Sequence, residues 1–428
     1  MNRQFLEMLD HPMSRRRLFA QASAGLLGVK VLTDLEHFAA AASVPGSSAK
    51  QIIVLMMRGA MSHLDTFDPK PGREVQGETK AIKTKTSGMI FGESLPGLAA
   101  LSEDLAVIRS MTIETGDHEQ GTYFMRTAYK KLNSIRHPGL GAWFVHVNGK
   151  ISKDLPGNVI IGNANDHPAA GFLESTLIPM PIADAAKGLE NIASPAYLSE
   201  QNFKRRLTLA DKIDADFRKK FSSNEITTYT QMYRDAVRLM GSSELEAFDI
   251  TKESEKTRES YGNHKFGQGC LLARRLIKAG VRFVEVEFGP WDMHQQIFTD
   301  LPERAGDLDQ AMTMLLTDLK QQGLLDTTMV VLATEFGRTP KINENAGRDH
   351  HPGVFSCVLA GAGIKGGQVY GSSDKDGFAV DDDSVSVADF HTTIAKAAGL
   401  DIKKEYFAPN GRPFKIGGGG EVISKLLA

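Results

Sequence analysis

The residues from Gln51 to Met57 read QIIVLMM, an uninterrupted apolar run of strand length. A strand with no polar face must be covered on both sides, as in the interior of a parallel sheet. Thr328 to Thr334 (TMVVLAT) and Phe355 to Ala360 have the same character. Val281 to Phe288 (VRFVEVEF) predicts a further strand, and Leu105 to Ile108 and Asn158 to Ile161 predict two shorter ones.

Between these runs the apolar period changes. From Pro302 to Gln322, Leu308, Ala311, Met312, Leu315, Leu316 and Leu319 recur at helical spacing, and Gly323 closes the pattern. Gly262 to Ala279 predicts a second helix, with Leu272, Leu276 and Ile277 on its apolar side and Gly280 at its end. Ala388 to Ala398 predicts a late helix, and residues 200–260 are charged and mostly helical in pattern. Strands alternating with helices predict an α/β fold, a mostly parallel sheet with helices on both faces. Lys365 to Asp383, rich in Gly, Ser and Asp, reads as a surface excursion, and Gly417 to Gly420 as a flexible spacer.

Composition narrows the picture. Of 428 residues, 41% are hydrophobic and 24% charged, which is a globular balance with room for one large domain or two ordinary ones. The net charge of −2 gives no bulk attraction for nucleic acid, and no nucleic-acid partner is expected. The two cysteines, Cys270 and Cys357, fall in apolar segments and read as buried thiols, which rules out a four-cysteine zinc site.

The N-terminus has its own pattern. Ser14-Arg15-Arg16-Arg17-Leu18-Phe19 precedes a moderately apolar stretch, Ala20 to Leu32, and then the small-residue run Ala39 to Ser43. Paired arginines, a weak apolar region and a small-residue exit are the marks of a twin-arginine export signal over residues 1–43. The expectation is an engagement with the twin-arginine translocase, a mature domain over 50–428, and a periplasmic or extracellular location.

Candidate chemistry lies at strand ends, where open parallel sheets bind ligands. WDMH (Trp291 to His294) follows VRFVEVEF, EFGRTP (Glu335 to Pro340) follows TMVVLAT, and a polar loop from Ser62 to Asp68 follows QIIVLMM. GRDHHPG, with Arg348 to Gly353, lies just before Phe355. Asp292, His294, Glu335, Asp349, His350 and His351 combine carboxylate and imidazole, a mixture suited to a divalent metal such as zinc, calcium or manganese. Arg338 has two readings: a clamp for an anionic substrate, or a structural pair with Glu335 or Asp349. Trp291 reads as packing before sugar stacking. His391 reads as a capping or packing residue.

Five stretches carry a resemblance: GAMSHLDTFDPKP, WDMH, DLDQAMTMLLTDLKQQGLLDTTMVVLATEFGRTP, GRDHHPG and AGAGIKGGQVYGSSD. They resemble a family of twin-arginine-exported bacterial proteins of planctomycete and verrucomicrobial type, itself similar to the alkaline phosphatase and sulfatase superfamily. The resemblance implies a three-layer α/β/α sandwich and one or two divalent metals held at strand ends. It also implies hydrolysis of a phosphate or sulfate ester, with an anionic ester or sulfated glycan as substrate. It departs from the superfamily at two places. Arg58-Gly59 stands where the first strand ends in a metal-binding aspartate, with Asp65 the candidate replacement. His118 begins HEQGTYFMRTAY, the segment where a hydroxyl nucleophile is expected, and is a candidate ligand, general acid or nucleophile. A scaffold that keeps metal or ligand binding without catalysis is the alternative.

Overall fold

The computed structural model describes residues 49–189, 197–220 and 233–428. The export leader read from the sequence lies outside these residues. Nine strands form the main sheet: β1 (Gln51–Met57), β2 (Leu105–Thr112), β3 (Asn158–Ile161), β4 (Met180–Ile182), β5 (Phe283–Phe288), β6 (Thr328–Thr334), β7 (Phe355–Gly361), β8 (Gln368–Tyr370) and β9 (Val385–Ser386). Their order is β8-β2-β7-β6-β1-β5-β3-β4, with β9 beside β2. The helices that cover the sheet are α1 (His118–Thr127), α2 (Leu140–Asn148), α3 (Lys265–Lys278), α4 (Ile297–Gln321) and α5 (Val387–Ala397).

Every residue of β1 and β6 is buried, as continuous apolar runs require. Alternate side chains of β1 enter different cores. Ile53, Leu55 and Met57 pack with α3 and α4, whereas Ile52, Val54 and Met56 pack on the side of α2 and α5. Each fully buried aliphatic side chain contributes roughly 1.5–3 kcal/mol, so this central strand anchors both layers. The result is an α/β fold of three layers on a large, mostly parallel sheet.

One strand is reversed. β7 pairs antiparallel with both β6 and β2, while β1, β5, β6, β3 and β4 run parallel. Antiparallel neighbours need no crossover helix. The connection 335–354 therefore leaves β6 at its carboxyl end and enters β7 at the same rim. This is how GRDHHPG, which precedes its strand, reaches the edge occupied by segments that follow theirs.

Several boundaries differ from the sequence reading. α4 begins at Ile297, five residues before the predicted start, with Pro302 inside it. Proline costs that helix one N–H, which its second turn tolerates, so the proline did not mark the first turn. α3 begins at Lys265 rather than Gly262, because the His264 imidazole caps it by accepting the Gly267 N–H at 3.2 Å. The segment read as an excursion carries β8 and a small hairpin, Ser372–Ser373 with Val380–Asp382.

The run Gly417 to Gly420 is not a spacer. Gly417, Gly418 and Gly419 all have positive φ, and Gly417 is buried against α5. A Cβ on Gly417 would lie 2.5 Å from Thr392 Oγ1 and 2.7 Å from Thr392 Cα. The glycines are there because the backbone itself packs.

Candidate functional site

The rim formed by the carboxyl ends of β1, β5 and β6 gathers the polar segments. Gly59, just past β1, has φ +107°, and a Cβ there would come within 2.6 Å of the Trp291 and Asp292 amide nitrogens. Only glycine lets the β1 turn and the WDMH loop approach this closely. Its N–H donates to Glu335 Oε1 at 2.8 Å, and its carbonyl accepts from Arg338 Nη2 at 2.6 Å. One residue thus ties three segments together.

Three histidines face a common point. His118, the first residue of α1, donates from Nδ1 to Glu335 Oε1 at 2.8 Å. His294 donates from Nδ1 to Asp349 Oδ1 at 2.9 Å, and His350 from Nδ1 to the Gly116 carbonyl at 2.7 Å. Each partner is an ionisable carboxylate or a carbonyl, so each Nδ1 is assigned its proton and each Nε2 presents a lone pair. The Nε2 atoms of His118, His294 and His350 lie 3.4, 3.1 and 3.3 Å from Asp292 Oδ1. His294 Nε2 and His350 Nε2 are 3.0 Å apart.

This arrangement meets the demands of a cation. Two lone pairs at that distance repel unless a proton or a metal ion lies between them. His118 Nε2 is buried with no hydrogen-bond partner. In a tetrahedral zinc site with bonds of about 2.0–2.1 Å, neighbouring donors stand roughly 3.3 Å apart, close to the separations here. Among the described residues, His118, Asp292 and His350 form the one cluster of three whose ligand atoms could hold a metal ion; His294 Nε2 stands beside it, 3.1 Å from Asp292 Oδ1 and 3.4 Å from Arg338 Nη1. The second ring nitrogens are held by carboxylate or carbonyl partners, as metal-binding histidines require.

The carboxylates at the site are held in their ionised form. Burial opposes ionisation of Asp292, but Arg338 and the neighbouring histidines outweigh it and bring its pKa down to about 2. Burial likewise opposes ionisation of Glu335, which hydrogen bonds from His118 and from backbone amides overcome, leaving its pKa below the usual range. Its bond to Glu335 raises the pKa of His118.

The other candidates are placed elsewhere. Asp65 is fully buried and accepts from Ser62, from Thr79 Oγ1 at 2.7 Å and from Arg348 Nε at 2.8 Å. It does not replace the missing aspartate; it locks its loop to GRDHHPG through the buried Arg348. His350 and His351 pair with Arg338 and Gly337 in a two-residue ladder, so they point to opposite sides. His351 donates instead to the Phe378 carbonyl at 2.7 Å, and His63 donates to Gly377 at 3.0 Å. Glu335 and Asp349 stand behind histidines rather than among the converging atoms.

Arg338 is fully buried and pairs with Asp292, not with Glu335 or Asp349. Its remaining donors reach Ala60 O at 3.0 Å, Gly59 O, Arg348 O at 3.1 Å and His294 Nε2 at 3.4 Å. It has no donor left for a substrate in this arrangement. Trp291 is buried in T-shaped contact with Phe288.

A cavity of ≈ 560 Å³ opens beside the cluster, with His118, Asp292 and Glu335 in its wall. Arg58, the departure at the end of β1, also lines it and donates from Nη1 to Glu287 Oε1 at 2.9 Å. Glu287 is held in turn by Arg126, a buried side chain that also grips Glu285 through Nε at 2.9 Å. The sequence reading passed over this ladder. Its signal was available: Glu285 and Glu287, two residues apart, share one face of an otherwise apolar strand.

The sequence model of a family described as a protein of unknown function, DUF1501, matches residues 49–427. The chain belongs to the DUF1501 family. No curated protein matches it. Among solved structures, this DUF1501 chain is similar to the lipoteichoic acid synthase LtaP from Listeria monocytogenes, with 11% identity, a TM-score of 0.41, and 90% of this chain and 79% of that one covered. A protein in the alkaline phosphatase superfamily from Vibrio parahaemolyticus matches at 12% identity and a TM-score of 0.39, covering 90% and 73%. Ps i-CgsB, crystallised with k-i-k-neocarrahexaose, matches at 11% identity and a TM-score of 0.41, covering 83% and 73%. At TM-scores below 0.5 these likenesses carry no information about activity.

Proposed function

We propose that this protein is an exported, metal-dependent hydrolase of phosphate or sulfate esters. The observation that carries the proposal is the convergence of three Nε2 lone pairs on one carboxylate, each imidazole fixed from behind. Asp292, Glu335, Asp349 and Arg338 together leave a formal local charge that a dication balances. Three imidazoles favour zinc or manganese over calcium, which takes oxygen ligands.

His118, Asp292 and His350 would hold a divalent cation, with His294 beside them, and three protein donors would leave it an open position from which it would supply Lewis acidity toward the ester and toward water. The protein's own groups do the rest. Glu335, Asp349 and Gly116 hold the three imidazoles in one tautomer. Arg338 fixes the Asp292 carboxylate. Arg58, steadied by Glu287, presents a guanidinium to the cavity, where it meets the anionic ester oxygens. No Ser, Thr, Cys or Tyr is among the described residues lining the cavity. Water is therefore the nucleophile in this reading. One water is consumed, the ester bond breaks, and an alcohol and an inorganic anion leave.

The test is metal analysis of protein recovered after export, together with hydrolysis of 4-nitrophenyl sulfate and 4-nitrophenyl phosphate. About one ion per chain and turnover of either ester is the expected result. Less than about a tenth of an ion per chain, with no turnover after adding zinc, manganese or calcium, refutes it. Bound metal without turnover would favour the non-catalytic alternative, which the missing hydroxyl group supports.

A further inference from the structure

We propose that the substrate carries a second anionic group, distant from the ester that reacts, and that Arg304 with Lys265 receives it. The proposal rests on the hydrolase reading and specifies its substrate class.

The cavity is much larger than one tetrahedral anion. At ≈ 560 Å³ it has the size of sites that enclose whole small molecules. His118 and Asp292 of the histidine cluster occupy one part of its wall. Another part is formed by the start of α3 and the third turn of α4, which contribute His264, Lys265, Arg304 and Asp307.

The charges on this wall are not equally available. Glu287 is engaged by Arg58 and Arg126. Asp307 faces His264 Nε2 at 3.5 Å, and Asp184 accepts the Ala186 N–H at 3.0 Å. Arg304 is different. It donates from Nη1 to the Gly289 carbonyl at 3.2 Å, and its guanidinium carbon sits 5.2 Å from the centre of the Phe288 ring. Among the described residues it makes no ion pair with a carboxylate. Lys265, exposed at the first position of α3, makes none either.

A guanidinium held by a ring and a carbonyl is oriented without being neutralised. Its remaining N–H groups suit a sulfate, phosphate or carboxylate. His118 and Asp292 line one part of this cavity, and Arg304 with Lys265 lines another. A cavity of this size admits one molecule bearing two anionic groups, one hydrolysed at the histidine cluster and the other received by Arg304.

Calorimetric binding to the zinc-loaded full-length protein tests this, with glucose 6-sulfate and glucosamine N,6-disulfate as probes and Tm and metal content as fold controls. The disulfate is expected to bind at least about tenfold tighter than the monosulfate. Arg304→Ala is expected to reduce that ratio to near one, and Arg304→Lys to restore most of it. Equal affinity of the two probes for the wild-type protein overturns the proposal and leaves the hydrolase reading standing. An undiminished ratio in Arg304→Ala does the same. Failure of both probes to bind overturns the anion-binding reading as a whole.

Discussion

His350 and His351 are neighbours of identical type with opposite surroundings. The first points Nε2 at Asp292 and the second donates to a backbone carbonyl on the far side of the ladder. His350→Ala is expected to lower bound metal at least about tenfold, and His351→Ala to leave metal content unchanged, both read by elemental analysis after dialysis. Asp349→Asn, which weakens the grip on His294 Nδ1 without touching the converging atoms, is expected to lower metal affinity by roughly 10–100-fold in a chelator competition. The sequence could place both histidines at a strand end but could not separate them. Separation depends on the two-residue ladder with Gly337–Arg338, which no periodicity signals. Asp65 escaped for the same kind of reason. Its partner Arg348 is 283 residues away in sequence, so nothing local reveals that it is already neutralised.

At the scale of elements, long apolar runs were legible and short irregular segments were not. β1 and β6 follow from composition alone, because a strand buried on both faces admits almost no polar residue. The glycine run Gly417 to Gly420 reads as flexible only while its neighbours are unknown. Gly417→Ala is expected to destabilise the fold by about 2 kcal/mol or more, because it adds a Cβ at positive φ against Thr392. Chemical denaturation checks this. α5 supplies a second prediction. His391 is buried, donates from Nε2 to the Met125 carbonyl at 2.6 Å, and burial lowers its pKa from 6.5 to about 4. The unfolded chain takes up this proton below its ordinary pKa while the folded chain does not. Stability therefore falls as pH drops from 6.5 toward 4. His391→Gln is expected to flatten the fall of Tm across that window, measured by circular dichroism.

For the molecule as a whole, alternation of strands and helices predicted the layered sheet, and β7 is where it was incomplete. Its reversal leaves no mark in its own composition, which matches that of its parallel neighbours. No helix among the described residues is long and apolar enough to cross a membrane. The export reading therefore rests on residues 14–43, and it has a direct test. Replacing Arg15 and Arg16 with Lys is expected to leave most of the protein as uncleaved cytoplasmic precursor, detected by cell fractionation, whereas the unaltered chain is recovered outside the cytoplasm.

The reversed strand also bears on how such a protein can diversify. Because the chain leaves β6 and enters β7 at one rim, Glu335, Arg338, Asp349 and His350 are encoded within a single short stretch of the gene. Two supporting groups, one charge-setting arginine and one imidazole of the histidine cluster can be exchanged in one recombination event while the rest of the chain is untouched. A library confined to codons 335–351 would sample new chemistries on an unchanged scaffold.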